Sequence, residues 1–238
     1  IKKCSINTTQ NIVLEGIENN GEIPTLECDQ TTLAAMGSAA SSSMINVQSG
    51  KTMSIIGLTL KSSVQMSEGN GGLLNVNKES TVVLRQVTMI DGYTKNGDGG
   101  AINIQAGGVL NAEGLEIENG RTENGSGGAL ACAGTCSLIG SLNKITNSVA
   151  SKGGGIAVLP GGVMNIVNKE ESATEPAKSA SLALTNNQAD EGGGIYLDDG
   201  SSLIISGKDA EVKVKYNTAT KGGGGFYAVN ANIQVIND

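Results

Sequence analysis

The 238-residue chain contains no tryptophan, no histidine, a single phenylalanine and only three prolines. A compact globule fills its centre with aromatic rings. A chain this poor in them has to bury small aliphatic side chains in a narrow, regular interior. Without histidine, and without a Cys-x-x-Cys pair, a zinc site lacks its ordinary ligands, so neither a metal nor a cofactor is expected. Arginine is scarce too: Arg85 and Arg121 are the only two, and the net charge is −7. Nucleic acid is rejected as a partner, because that affinity comes from clustered cations neutralising phosphates. An anionic membrane surface is disfavoured for the same reason. No apolar run approaches the roughly 18 residues of a membrane-spanning helix, so this segment is not expected to insert into a bilayer. No signal peptide is read in this segment, and a chain that starts at Ile1 reads as a processed form or a piece of something longer.

Glycine is abundant, with 35 residues, and it recurs in a tag. Gly71-Gly72-Leu73-Leu74, Gly99-Gly100-Ala101-Ile102, Gly127-Gly128-Ala129-Leu130, Gly153-Gly154-Gly155-Ile156, Gly192-Gly193-Gly194-Ile195 and Gly223-Gly224-Gly225-Phe226 share it. Ile45 opens a similar coil without the glycines. The reference positions 45, 74, 102, 130, 156, 195 and 226 are spaced by 29, 28, 28, 26, 39 and 31 residues. The long step holds a polar run near 168–179, which reads as a loop extruded from one coil.

Inside a coil the pattern has period 2. Ile102-Asn103-Ile104 alternates apolar and polar, and Val109 to Ala112 and Leu115 to Ile117 follow after turns. Such segments are short strands, and only 31–40 tolerates a helix. One three-stranded coil cannot bury its inward residues. Stacked about 4.8 Å above a neighbour, it hydrogen-bonds along every strand. The fold class is therefore all-β: a right-handed parallel β-helix of seven or eight coils of roughly 28 residues, the hand following the usual crossover rule. Residues 1–238 form a single domain, with 1–44 as cap and first coil and 45–238 as repeat coils. Val47, Val76, Ile104, Cys132, Val158, Leu197 and Ala228 form an inward column. Ser62, Asp91, Asn119, Asn147, Asn186 and Asn217 form a polar column expected to be a structural ladder. The glycines sit at a corner that needs backbone forbidden to other residues.

Four cysteines are an even number. Cys4 and Cys28 lie 24 residues apart, near one coil, and Cys132 and Cys136 bracket a short turn. Two disulfides in an oxidising compartment is the preferred reading, with buried thiols as the alternative.

Leu184-Thr185-Asn186-Asn187-Gln188-Ala189-Asp190-Glu191-Gly192-Gly193-Gly194-Ile195 resembles the repeat of the chlamydial-type polymorphic outer membrane proteins, which alternates a Phe-x-x-Asn tag with Gly-Gly-Ala-(Ile/Leu/Tyr). Val214 to Ala219 and Ile145 to Asn147 are similar, and the likeness covers roughly 45–238. Phe is replaced by Leu, Val or Ile at the tag, and the spacing drifts. The resemblance implies a passenger displayed on the outer cell surface and supplies no catalytic residues.

A lyase or hydrolase on this fold needs clustered carboxylates. The outward positions of the first strand carry one carboxylate, Asp198, and neither arginine, so no enzyme is expected. Asp198-Asp199 reads as a turn pair. That face offers amides instead: Asn46, Asn75 and Asn103 beside Gln48, Asn77 and Gln105, continued by Tyr196 and Tyr227. These are the candidate ligand-binding residues, against the blander reading of a solvated strand face. Asn7-Thr8-Thr9 and Asn124-Gly125-Ser126 are glycosylation sequons that matter only in a eukaryote. The leading expectation is a secreted or cell-surface adhesin for a protein or glycan of a host or neighbouring cell. The alternatives are a fibre or coat subunit assembled end to end and, more weakly, a polysaccharide enzyme.

Overall fold

A computed structural model describes residues 6–8, 10–17, 21–28, 43–63 and 65–237. Alternating sequence becomes strand throughout, and every named element among the described residues is a β-strand. The stretch 31–40 lies outside them.

The first sheet has eight parallel strands: Ile6–Thr8, Ile45–Val47, Leu74–Val76, Ile102–Ile104, Leu130–Cys132, Ile156–Val158, Ile195–Leu197 and Phe226–Ala228. Their register places Ile45, Leu74, Ile102, Leu130, Ile156, Ile195 and Phe226 in one vertical column, as the spacing requires. Ile6 adds an upstream member that the glycine tags could not reveal. The inward column of Val47, Val76, Ile104, Cys132, Val158 and Leu197 is fully buried; Ala228, in the last coil, is exposed. Each such aliphatic side chain contributes about 1.5–3 kcal/mol of burial, so a stack of small residues replaces the missing aromatic centre.

A thirteen-stranded sheet forms the other two flanks. In Thr81–Ile90 and Val109–Glu118 both flanks are one continuous strand, bent where Gln86 (φ 52°) and Gly114 (φ 65°) take left-handed backbone. The glycine tags are the opposite corner. Gly99 has φ 70°, and a Cβ on Gly100 would stand 2.2 Å from the Gly128 carbonyl oxygen in the next coil. The first glycine is needed for backbone conformation and the second for close stacking.

The polar column is a ladder in part: Asn119 Nδ2 donates to Asp91 Oδ1 at 3.0 Å one coil away, and the column otherwise serves a backbone corner. Asp91, Asn119, Asn147 and Asn186 occupy a left-handed corner with φ between 55° and 59°. Asn119, Asn147 and Asn186 are exposed. Asn and Asp suit that conformation better than other side chains. The next member of this corner is Tyr216 (φ 57°) rather than Asn217. The buried ladder runs one residue later. Asn217 Oδ1 accepts from Asn187 N at 2.9 Å and Asn187 Nδ2 at 3.0 Å. Asn187 Oδ1 accepts from Ser148 N at 2.9 Å, and Ser148 Oγ from Gly120 N at 3.2 Å.

Cys132 and Cys136 form a disulfide inside one coil. Cys136 lies in the strand Thr135–Ile139, facing inward, and not at the turn before it. Cys28 is disulfide-bonded; Cys4 lies outside the described residues. The insertion near 168–179 is a hairpin: Lys169 and Lys178 exchange backbone hydrogen bonds of 2.8 and 3.0 Å.

Candidate functional site

The amide stripe is built by register, since Asn46, Asn75 and Asn103 stand one above another. They bond to each other. Asn103 Nδ2 donates to Asn75 Oδ1 at 2.8 Å, Asn75 Nδ2 to Asn46 Oδ1 at 3.0 Å, and Asn46 Nδ2 to Asn7 Oδ1 at 3.2 Å. Asn77 Nδ2 donates to Asn46 Oδ1 and to the Val47 carbonyl. Asn103 is only 3% exposed and Asn75 9%. The expectation of a solvated strand face is thereby corrected: this side of the first sheet is largely closed, and its amides satisfy one another.

The tyrosines follow the same logic. Tyr196 is 2% exposed and stacks on half-buried Tyr227, ring centres 5.8 Å apart and planes within 8°. Lys152 Nζ donates to the Tyr196 hydroxyl at 3.0 Å and lies 4.7 Å from its ring centre. That hydrogen bond is the main reason the Lys152 ammonium is held above its ordinary pKa. The cover comes from the return segment of each coil, which folds back at the glycines. A Cβ on Gly192 would stand 2.9 Å from Tyr196 Cα, and one on Gly222 would stand 2.9 Å from Tyr227 Cε2. Of the candidate residues, Asn75, Asn103 and Tyr196 are shut away; Asn46, Asn77, Gln105 and Tyr227 are half-buried, and Gln48 is open.

The open surfaces lie on the other two flanks. Six successive coils of the second flank present Thr52, Ser54, Thr81, Val83, Val109, Asn111, Thr135, Ser137, Val163, Asn165, Ser202 and Ile204 outward, none of them charged, and along one edge a third column of Ile56, Arg85, Glu113, Ile139, Val167 and Ser206 that holds two charges. The fourteen outward positions of the third flank, over six coils, are Thr59, Lys61, Thr88, Ile90, Glu116, Glu118, Lys144, Thr146, Ser181, Ala183, Thr185, Glu211, Lys213 and Lys215, seven of them charged.

At the edge of the second flank, where Arg85 and Glu113 stand, the 168–179 hairpin lies across the sheet. Lys169 Nζ donates to both Glu113 carboxylate oxygens, at 2.9 and 2.7 Å, and Lys178 Nζ donates to Glu113 Oε1 at 2.9 Å. Lys169 also pairs with Glu175. Under and beside this bridge run two adjoining clefts of about 510 and 410 Å³ that share Arg85 and Glu113. Burial pushes the Glu113 carboxyl up, but the hydrogen bonds from Lys169 and Lys178 outweigh it and hold the group below its ordinary range. The hydrogen bond from Lys169 likewise lowers Glu175. Both carboxylates stay ionised at neutral pH. Neither carboxyl is raised as a glycosidase general acid would be. Arg85 was visible in the sequence as one of two arginines, and the insertion as one long step; their meeting was not, because it depends on where the hairpin folds.

Compared with known proteins, the chain matches no family model, no curated protein and no solved structure.

Proposed function

We propose that this chain is a non-catalytic binding solenoid, secreted or displayed on the outer cell surface in the manner of an adhesin passenger, and that it meets its ligand along the second flank. The observation that carries this reading is the contrast in charge: two of eighteen outward residues on that flank, Arg85 and Glu113 side by side at one edge, against seven of fourteen on the third. Charges on a solvent-facing strand resist association, and loss of charge marks the core of a contact surface. The disulfides support an oxidising compartment. The glycine-tag resemblance supports surface display. The ligand class is a protein or glycan of a host or neighbouring cell. The test is retention of the purified protein on cell surfaces and on a panel of immobilised glycans. Thr135→Lys and Asn165→Lys, which put charge on the flank, should abolish retention, and Lys144→Gln on the third flank should leave it intact. Loss with Lys144→Gln alone, or no retention on any surface, would sink the proposal.

A further inference from the structure

Arg85 and Glu113 occupy the same column in successive coils, where opposite charges would ordinarily pair. Glu113 is instead engaged by Lys169 and Lys178. Arg85, exposed, makes no ion pair among the described residues. It is a guanidinium left over at the junction of two clefts whose volumes lie in the range of small-molecule sites.

Around it the lining is mixed. Gln86 and Asn111 bring amides, Glu113 a carboxylate, Ile56 and Val83 an apolar floor, and Glu15 a rim of negative charge. The strands below are paired on both sides: Thr81–Ile90 bonds to Thr52–Ile56 and to Val109–Glu118 over this stretch. No strand edge is free here, so an extended peptide cannot add itself to the sheet. Only side chains are available: one fork-shaped cation, Arg85, with amide and carboxylate partners close by, while Lys169 and Lys178, also in the lining, are held by Glu113. That set matches a molecule with one carboxylate and several hydroxyls. Glu15 at the edge repels a second carboxylate, which disfavours polyanions.

We propose that the cleft beneath the 168–179 hairpin binds a monocarboxylate sugar, its acid group on Arg85 and its hydroxyls on Asn111, Gln86 and the Glu113 carboxylate. This rests on the reading of the second flank as a ligand surface and names the ligand class at its border.

The experiment is saturation-transfer NMR and calorimetry on the full chain with three probes: methyl glucuronide, methyl glucoside, and heparin as polyanion. Saturable binding of the glucuronide is expected, with the glucoside and heparin weaker by tenfold or more. Arg85→Gln should lose at least tenfold for the glucuronide at an unchanged melting temperature, because the side chain faces solvent; Lys144→Gln is the control. Equal binding of the glucoside, tight binding of heparin, unaltered binding by Arg85→Gln, or no glucuronide binding at about 10 mM, where even millimolar affinity is saturating, overturns the proposal. If the native chain is retained on cells or glycans but does not bind the glucuronide, this inference falls and the flank reading stands. If Thr135→Lys leaves retention unchanged, the flank reading falls instead.

Discussion

Asn103 donates its side-chain amide to Asn75 at 2.8 Å in a place almost closed to water, although both residues point away from the solenoid's core. An outward strand position here is buried because the return segment of the coil covers it. Removing the Asn103 amide leaves the Asn75 carbonyl oxygen unpaired in that enclosure, at a cost of about 1–3 kcal/mol. Asn147 is exposed and serves its left-handed backbone, φ 55°, a conformation glycine adopts freely. Asn103→Ala should therefore lower the melting temperature clearly, and Asn147→Gly should not. This reverses the order that a ladder through Asn147 requires, and paired thermal melts decide it.

The buried rung at Asn187 makes a second case. Its Oδ1 accepts from Ser148 N, while its Nδ2 donates to the Ile145 carbonyl at 3.2 Å and to Asn217 Oδ1 at 3.0 Å. Asn187→Asp keeps the acceptor and loses both donor bonds, while placing an ionisable group in a fully buried site. Burial raises that carboxyl, so the folded variant holds its proton to higher pH than the unfolded chain. Its stability should rise as pH falls from 7 towards about 4, where the unfolded carboxyl also protonates. Denaturant melts across that range check the slope; a variant with a flat profile argues against a closed ladder.

Period-2 alternation and the glycine interval were enough to read the coils, because stacking turns a sequence period into a spatial column. Ile45 to Phe226 lie where their spacing puts them. The side-chain roles were less legible. Asn186 and Asn187 are adjacent asparagines with different tasks, one a left-handed corner and one a buried rung, and composition cannot separate them. The closed face over Asn75 and Asn103 depends on where the chain goes after each third strand, which alternation does not encode. The hairpin's grip on Glu113, 56 residues before Lys169, is a long-range contact invisible to local pattern.

The Cys132–Cys136 disulfide occupies inward positions that are aliphatic or thioether in neighbouring coils. Cys132 aligns with Ile104 and Val158, and Cys136 with Leu110 and Met164. Both cysteines are fully buried, so a reductant reaches them only when the coil opens. With reductant and a thiol-alkylating agent, the native protein should stay unlabelled at these two residues, and the unfolded protein should gain label at both. Closing so short a loop contributes about 2 kcal/mol on chain-entropy arithmetic. Cys132→Val with Cys136→Leu should recover part of that loss by matching the neighbouring columns, whereas the double alanine variant adds a cavity penalty. Mass spectrometry after alkylation checks the first outcome and denaturant melts the second.

The last prediction concerns the hairpin over the cleft. Glu113 is held below its ordinary value of 4.5 and Lys169 above its ordinary 10.5. A depressed carboxyl contributes stability that is complete above its unfolded pKa and is lost as pH falls through the folded one. A raised ammonium contributes below its unfolded pKa and loses that contribution as pH climbs through the folded one. The hairpin should therefore stay fastened between about pH 4.5 and 10.5 and loosen on either side. The backbone bonds that close it, Lys169 N to Lys178 O and Lys178 N to Lys169 O, report its state. Hydrogen exchange of those two amides, corrected for intrinsic rates, should accelerate between pH 7 and pH 3.5 while that of Leu110 in the core does not. Glu113→Gln should produce the same acceleration at pH 7, because it removes the anion that both lysines grip. Protection that is unchanged in the variant and at pH 3.5 would mean that the backbone alone holds the hairpin, and that the three charges merely sit beside it.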